Sequence, residues 1–213
     1  MKKTLIQWFG LFGMASLISY IVGMIFVPSA YPGYDWISQP VTDLYARNAP
    51  SFALWNQLAS LYAIGALVCV AMLAVAIQGK RNKPIRSGIY LITATSWISS
   101  IGSLILRYSG AEGAIAFPEI TIYILDVMVM LSIITSKILI IVGGYRQKSF
   151  VSLARCTTIA LALLVIGLIG MLISPAEYLG IFHRAVILPT SGFVALLGLF
   201  LFMGKLDDNK HKH

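Results

Sequence analysis

ITIYILDVMVMLSIITSKILIIV, residues 120–142, is the stretch on which the fold turns: 23 residues with two charged side chains, Asp126 and Lys137. A helix rises about 1.5 Å per residue, so about 20 apolar residues cross the hydrocarbon core of a bilayer. Backbone groups in lipid find no water and must be satisfied within the segment, which an α-helix does. The run does not alternate as a membrane β-strand would. Five more runs have the same character: Leu5–Val27, Phe52–Gln78, Ser87–Arg107, Thr157–Ser174 and His183–Gly204. Together with Ile120–Val142 they predict an all-α fold. It is an integral membrane bundle of six transmembrane helices within residues 1–204, with a polar tail over 205–213.

Composition agrees. Of 213 residues, 58% are hydrophobic and 11% charged, against roughly 25% charged in a soluble domain. Mean hydropathy is +0.85. So few charges cannot cover a water-facing surface, which argues against a soluble enzyme, a disordered chain and a nucleic-acid-binding domain. Seven of the eight prolines fall between the runs, where a residue without an N–H interrupts no helix; Pro189 alone lies inside one. The two cysteines, Cys69 and Cys156, form no CxxC pair and read as free thiols.

The net charge of +8 reads as a topology signal rather than as a nucleic-acid footprint. Twelve of the 16 basic residues fall on one side: Lys2, Lys3, Lys80, Arg81, Lys83, Arg86, Arg146, Lys148, Arg155, Lys205, Lys210 and Lys212. The other side receives Arg47, Arg107 and Arg184, with Asp35, Asp43, Glu112, Glu119 and Glu177. Basic residues stay in the cytoplasm, so both termini are expected there, in a cell membrane protein with multiple passes. The first run, at about 23 residues, is longer than the 7–15 of a signal-peptide core, and a retained helix is the preferred reading over a cleaved signal.

The chemistry-bearing residues gather toward the outer side. The loop PSAYPGYDWISQPVTDLYARNAPS, residues 28–51, holds Asp35, Ser38 and Asp43; long loops are either functional or lids packed by their own aromatics. Thr93, Ser96, Ser100, Ser103 and Arg107, spaced 3, 4, 3 and 4, share one face of the third helix. That face reads as small-residue helix packing or as the wall of a polar cavity. Asp126 and Lys137 each cost about 2.5–3.5 kcal/mol at mid-membrane, so they are functional candidates. Lys137 is expected to snorkel to the inner end, and Asp126 to pair with Arg107 or Arg184. His183 and Arg184 open the sixth helix, which Pro189 is expected to break. We therefore expect an outward-facing pocket between the third, fourth and sixth helices, capped by the loop. Its ligand-binding residues are Asp35, Ser38, Asp43, Ser100, Ser103, Arg107, Asp126, His183 and Arg184.

Tyr31-Pro32-Gly33-Tyr34, Ile37-Ser38, Val41-Thr42-Asp43-Leu44-Tyr45 and Ala49-Pro50 resemble the loop of the bacterial and archaeal membrane family called domain of unknown function 998. The order of one helix, this loop and five more helices fits as well. The resemblance implies the fold and no particular activity. Members often carry a histidine after the third helix, where this chain has Phe117-Pro118-Glu119.

Binding of a lipid head group or small ligand is the leading functional reading, with membrane lipids as partners and no nucleic acid. A small-solute or proton-coupled transporter is the alternative, favoured by Asp126 and Pro189. A metal-free hydrolase built on Ser38, His183 and Asp43 is a third reading, supported by no motif spacing. Catalytic zinc usually takes three protein ligands, and the other two histidines, His211 and His213, lie in the tail. No metal and no cofactor is expected, and no catalytic residue is assigned.

Overall fold

The computed structural model describes residues 3–79, 82–109 and 119–206, with the side chains of all of these except 103–109, 119, 120 and 122. Among them the regular elements are helical: α1 Leu5–Phe9, α2 Leu11–Phe26, α3 Phe52–Leu58, α4 Ser60–Ala76, α5 Lys83–Ser109, α6 Glu119–Tyr145, α7 Val151–Ile173 and α8 Leu179–Phe202. Short 3₁₀ turns lie at Val27–Ala30, Val41–Tyr45, Lys148–Phe150 and Ala176–Tyr178.

Six membrane-spanning helices were expected; among the described residues four are long and apolar enough. They are Leu5–Ala30, Tyr123–Tyr145, Lys148–Ile173 and Ala176–Phe202. The pair α3–α4, bent by 42° at Ala59, makes a fifth if it counts as one span. α5 is not among them: its described part opens on Lys83, Pro84 and Arg86, and the side chains of its apolar end, residues 103–109, lie outside the described residues.

Several boundaries lie outside the apolar runs for local reasons. α5 starts before Ser87 because Asn82 caps it: its Oδ1 accepts from the Ile85 N–H at 3.2 Å, and its Nδ2 donates to Gly143 O at 2.9 Å. One side chain thus starts α5 and ties it to the end of α6. α7 starts at Val151 rather than Thr157, so Cys156 lies within it; Cys69 and Cys156 are free. α8 starts at Leu179, and Pro189 does not break it. The proline removes one ladder bond, and the next hydroxyl, Thr190 Oγ1, binds back to Val186 O at 2.9 Å. α8 ends at Gly204 (φ 66°), where the Lys205 N–H reaches Phe200 O at 3.0 Å, a glycine cap that turns Leu206 back into the core. Of the expected tail, residues 205–213, only Lys205 and Leu206 are among the described residues.

α4, α5, α6, α7 and α8 pack each on the next, and α8 returns to α4, closing a ring; α2 lies against α4 and α8. Glycines set the closest approaches. A side chain at Gly10 would meet the backbone of Gly198, and one at Gly170 would meet the ring of Phe182. Such small-residue contacts let apolar helices gain dispersion energy where the hydrophobic effect offers none. The larger apolar cluster fills the ring around Leu73, Ile89, Ile140 and Phe193. A second, around Tyr20, Val41, Leu44 and Trp55, lies under the loop of residues 27–51. We call this the loop end of the bundle and the other the basic end.

Candidate functional site

Arg184 organises the loop end. It sits one turn into α8, 5% exposed. Its Nη1 donates to Trp36 O at 2.7 Å, Gln39 O at 3.2 Å and Gly180 O at 2.7 Å, and its Nη2 donates to the Tyr34 hydroxyl at 2.8 Å. The guanidinium plane lies 4.2 Å from the Trp36 ring, a cation–π contact. Gly180, one turn before it, admits the loop: a side chain there would meet the carbonyl oxygens of Trp36, Ile37 and Gln39. The Ile181 N–H donates to Ile37 O at 3.3 Å. The start of α8 and its arginine thus present positive charge to a set of inward-turned carbonyls.

The loop shapes itself for this. Asp35 accepts from the Ile37 and Ser38 N–H groups at 3.0 and 3.3 Å and from Ser38 Oγ at 2.6 Å. This Asx turn holds the Asp35 carboxyl below the usual carboxylate range, through the Ser38 hydroxyl first and the Ile37 amide second. Tyr34 shares its hydroxyl proton between Gln39 O and Pro40 O, at 3.2 and 3.1 Å. Burial pushes its phenol up, and Arg184 opposes that.

Asp35 and Ser38, expected as ligand residues, are therefore spent on the turn. Arg184 is spent on the loop, though its Nε is buried without a partner. Asp43 is half-buried on the Val41–Tyr45 turn, and His183 Nδ1 is buried without a hydrogen-bond partner. The Ser38 hydroxyl donates to Asp35 rather than to His183, so the serine–histidine contact of a hydrolase is not formed. Among the described residues no group of three or more His, Cys, Asp and Glu could hold a metal ion.

The hydroxyl stripe of α5 has two parts. Thr93 Oγ1 donates to Val70 O of α4 at 3.0 Å and to Ile89 O at 2.8 Å, and Ser96 Oγ to Ile92 O at 2.8 Å. The first ties α5 to α4; the other two stay within α5. Ser100 is half-buried; the side chains of Ser103 and Arg107 lie outside the described residues.

α6 carries the most informative pattern. One stripe, Ile124, Met128, Leu131, Thr135, Ile138 and Val142, is exposed from end to end. The opposite stripe changes along its length. Tyr123 is 67% exposed and Asp126 is exposed, Met130 and Ile133 are half-buried, and Lys137 and Ile140 are 0% exposed. Residues 126, 130, 133 and 137 recur at 4, 3 and 4 and so share a face. The face that points into the ring is thus buried toward the basic end, while toward the loop end Tyr123, Ile124, Asp126, Val127 and Met128 leave α6 exposed on both sides.

One expectation is corrected here and another in part. Asp126 does not pair with Arg184: it lies exposed on α6, while the guanidinium Nη1 binds the carbonyls of Trp36, Gln39 and Gly180; the side chain of the other expected partner, Arg107, lies outside the described residues. Lys137 does not snorkel. It is buried, with Nζ unpartnered in hydrogen bonding and 4.3 Å from the Phe193 ring of α8. It stands on the face of α6 that packs into the ring, so the stem leads inward rather than along the helix to the basic end.

Sequence reasoning also passed over Tyr34 and Gly180. The signal for the latter was available: a glycine four residues before a helical arginine clears the space beside its guanidinium.

A bundle of apolar helices with one loop clamped to the start of α8 is the arrangement the described residues define. No family model, no curated protein and no solved structure matches the chain.

Proposed function

We propose that the chain is a multi-pass membrane protein with both termini in the cytoplasm, and that it binds a lipid head group or small polar ligand from the outer side. The ligand enters a vestibule between α5, α6 and α8, under the clamped loop. The observation that carries this is the α6 gradient. A stripe facing lipid would stay exposed along its whole length, as that of Ile124, Met128, Leu131, Thr135, Ile138 and Val142 does; a stripe facing an outward-open cavity goes from exposed at Asp126 to buried at Lys137. The half-buried hydroxyls of α5 supply polar wall, and Asp126 places a carboxylate near the mouth. A carboxylate there is stable against water and costly against lipid. The likeness of residues 31–50 to domain of unknown function 998 belongs to the same proposal.

Transport is the lesser reading. A path would have to continue past Lys137 and Ile140, and both are fully buried.

Native mass spectrometry of the protein purified in mild detergent tests the binding. The expected result is a retained adduct that Ser100→Phe, which fills the α5 wall, reduces at least tenfold. Equal adducts on the two proteins, or none on either, would contradict it.

A further inference from the structure

We propose that Lys137 is the anchor for the carboxylate of an aliphatic monocarboxylic acid bound inside the helix ring. For its route of entry this rests on the outward-open vestibule. The lysine is 0% exposed, and among the described residues its Nζ has no hydrogen-bond partner. The neighbouring Ser136 hydroxyl donates to Gly88 O at 2.7 Å and that of Thr157, buried on α7, to Leu153 O at 2.7 Å. Neither hydroxyl oxygen accepts from the Lys137 Nζ. Phe193 covers the ammonium at 4.3 Å, a contact that favours the charged amine but satisfies none of its three N–H donors.

A buried ammonium without a counter-charge costs several kcal/mol. The nearest acid on the same helix, Asp126, is eleven residues away, about 16 Å along the axis. It cannot be the partner. An anion that arrives with its own negative oxygens can.

The surroundings narrow the anion. One ammonium neutralises one charge, so a monoanion fits and a phosphate dianion leaves charge over in an apolar site. Phe193 and Ile140 belong to one buried apolar cluster, so a hydrocarbon tail enters as those side chains part for it, and a second polar group finds no partner there. The half-buried Met130 and Ile133, between Asp126 and Lys137 on the same stripe, continue that apolar lining toward the mouth.

The test compares octanoate, octanol and acetate binding to the full chain in detergent by calorimetry. Octanoate and octanol share a tail, so their difference reads the charge; octanoate and acetate share a head group, so theirs reads the tail. We expect octanoate to bind at least tenfold more tightly than either. We expect the preference over octanol to vanish in Lys137→Met and to survive in Lys137→Arg. Lys137→Met removes a buried charge and is expected to unfold at or above the wild-type temperature; Lys137→Gln provides a second neutral variant.

Equal binding of octanoate and octanol by the wild type, or an undiminished preference in both neutral variants, overturns the proposal. Acetate binding as tightly as octanoate overturns the aliphatic part. Failure of the vestibule is separately visible, as the loss of labelling from outside at Tyr123→Cys and Asp126→Cys. That outcome removes the entry route and leaves the octanoate preference to decide the anchor.

Discussion

At the scale of single residues, Arg184 carries the loop. Hydrogen bonds to a charged donor contribute about 1.5–3 kcal/mol each, and a buried carbonyl left unpaired costs about as much. Arg184→Ala opens contacts to Trp36, Gln39 and Gly180 at once. It should destabilise the protein by roughly 3 kcal/mol, read as a fall in unfolding temperature, and should expose residues 31–45 to limited proteolysis. Arg184→Lys should recover less than half of this, because an ammonium cannot span three carbonyls and a phenol with a planar fork.

Asp35 makes a prediction about pH. Its carboxyl is held below the ordinary range by bonds that exist only in the folded loop. The contribution is therefore present above the ordinary carboxylate range, and is lost as pH falls through the lowered value of Asp35 itself. Amide exchange at Ile37 and Ser38, corrected for intrinsic rates, should accelerate below about pH 4. In Asp35→Ala it should be fast throughout. Protection in that variant equal to wild type at neutral pH would contradict the role given to the turn.

These residues show what a sequence exposes and what it hides. Arg184, Asp35, Ser38 and His183 stand out as polar side chains in an apolar chain, so their importance is legible. Their partners are not. Arg184 binds main-chain carbonyls 145 to 148 positions away, and a carbonyl has no sequence signature.

At the scale of elements, glycines govern how the helices meet. The Gly170 position lies against the Phe182 ring of α8, and no side chain fits without displacement. Gly170→Ala should cost about 1–3 kcal/mol by overpacking. Phe182→Leu in the same chain should return part of that cost, and a double-mutant cycle on unfolding temperature would show coupling. Simple additivity would mean that α7 and α8 do not meet there.

Helix existence was legible in the apolar runs, while helix ends were not. Asn82 starts α5 and the Lys148–Phe150 turn leads into α7 through local hydrogen bonding that hydropathy does not register. Pro189 illustrates the reverse error. A proline signals a break when read alone, yet packing against α7 at Gly167, beside Ala185 and Val186, holds α8 continuous. On α6 the spacing of Asp126 and Lys137 correctly places them on one face. Which face turns inward, and where along it the ring closes, is set by the neighbours and is visible only in the fold.

At the scale of the whole molecule, the bundle is sealed at the basic end by apolar packing and by Asn82 between α5 and α6. In the proposed reading it is open beneath the loop that Arg184 clamps. A ligand would enter where the inward face of α6 is exposed and stop where Lys137 closes it. The most direct measurement is accessibility to a membrane-impermeant thiol reagent applied to the loop side. The background chain has Cys69 and Cys156 replaced by alanine, and single cysteines are placed on the two stripes of α6. Tyr123→Cys and Asp126→Cys should label rapidly, with Lys137→Cys unreactive. Ile124→Cys, Met128→Cys and Leu131→Cys, exposed but facing lipid, should not label. Rapid labelling of Met128→Cys and Leu131→Cys with Asp126→Cys protected would invert the bundle and contradict the outward-open vestibule.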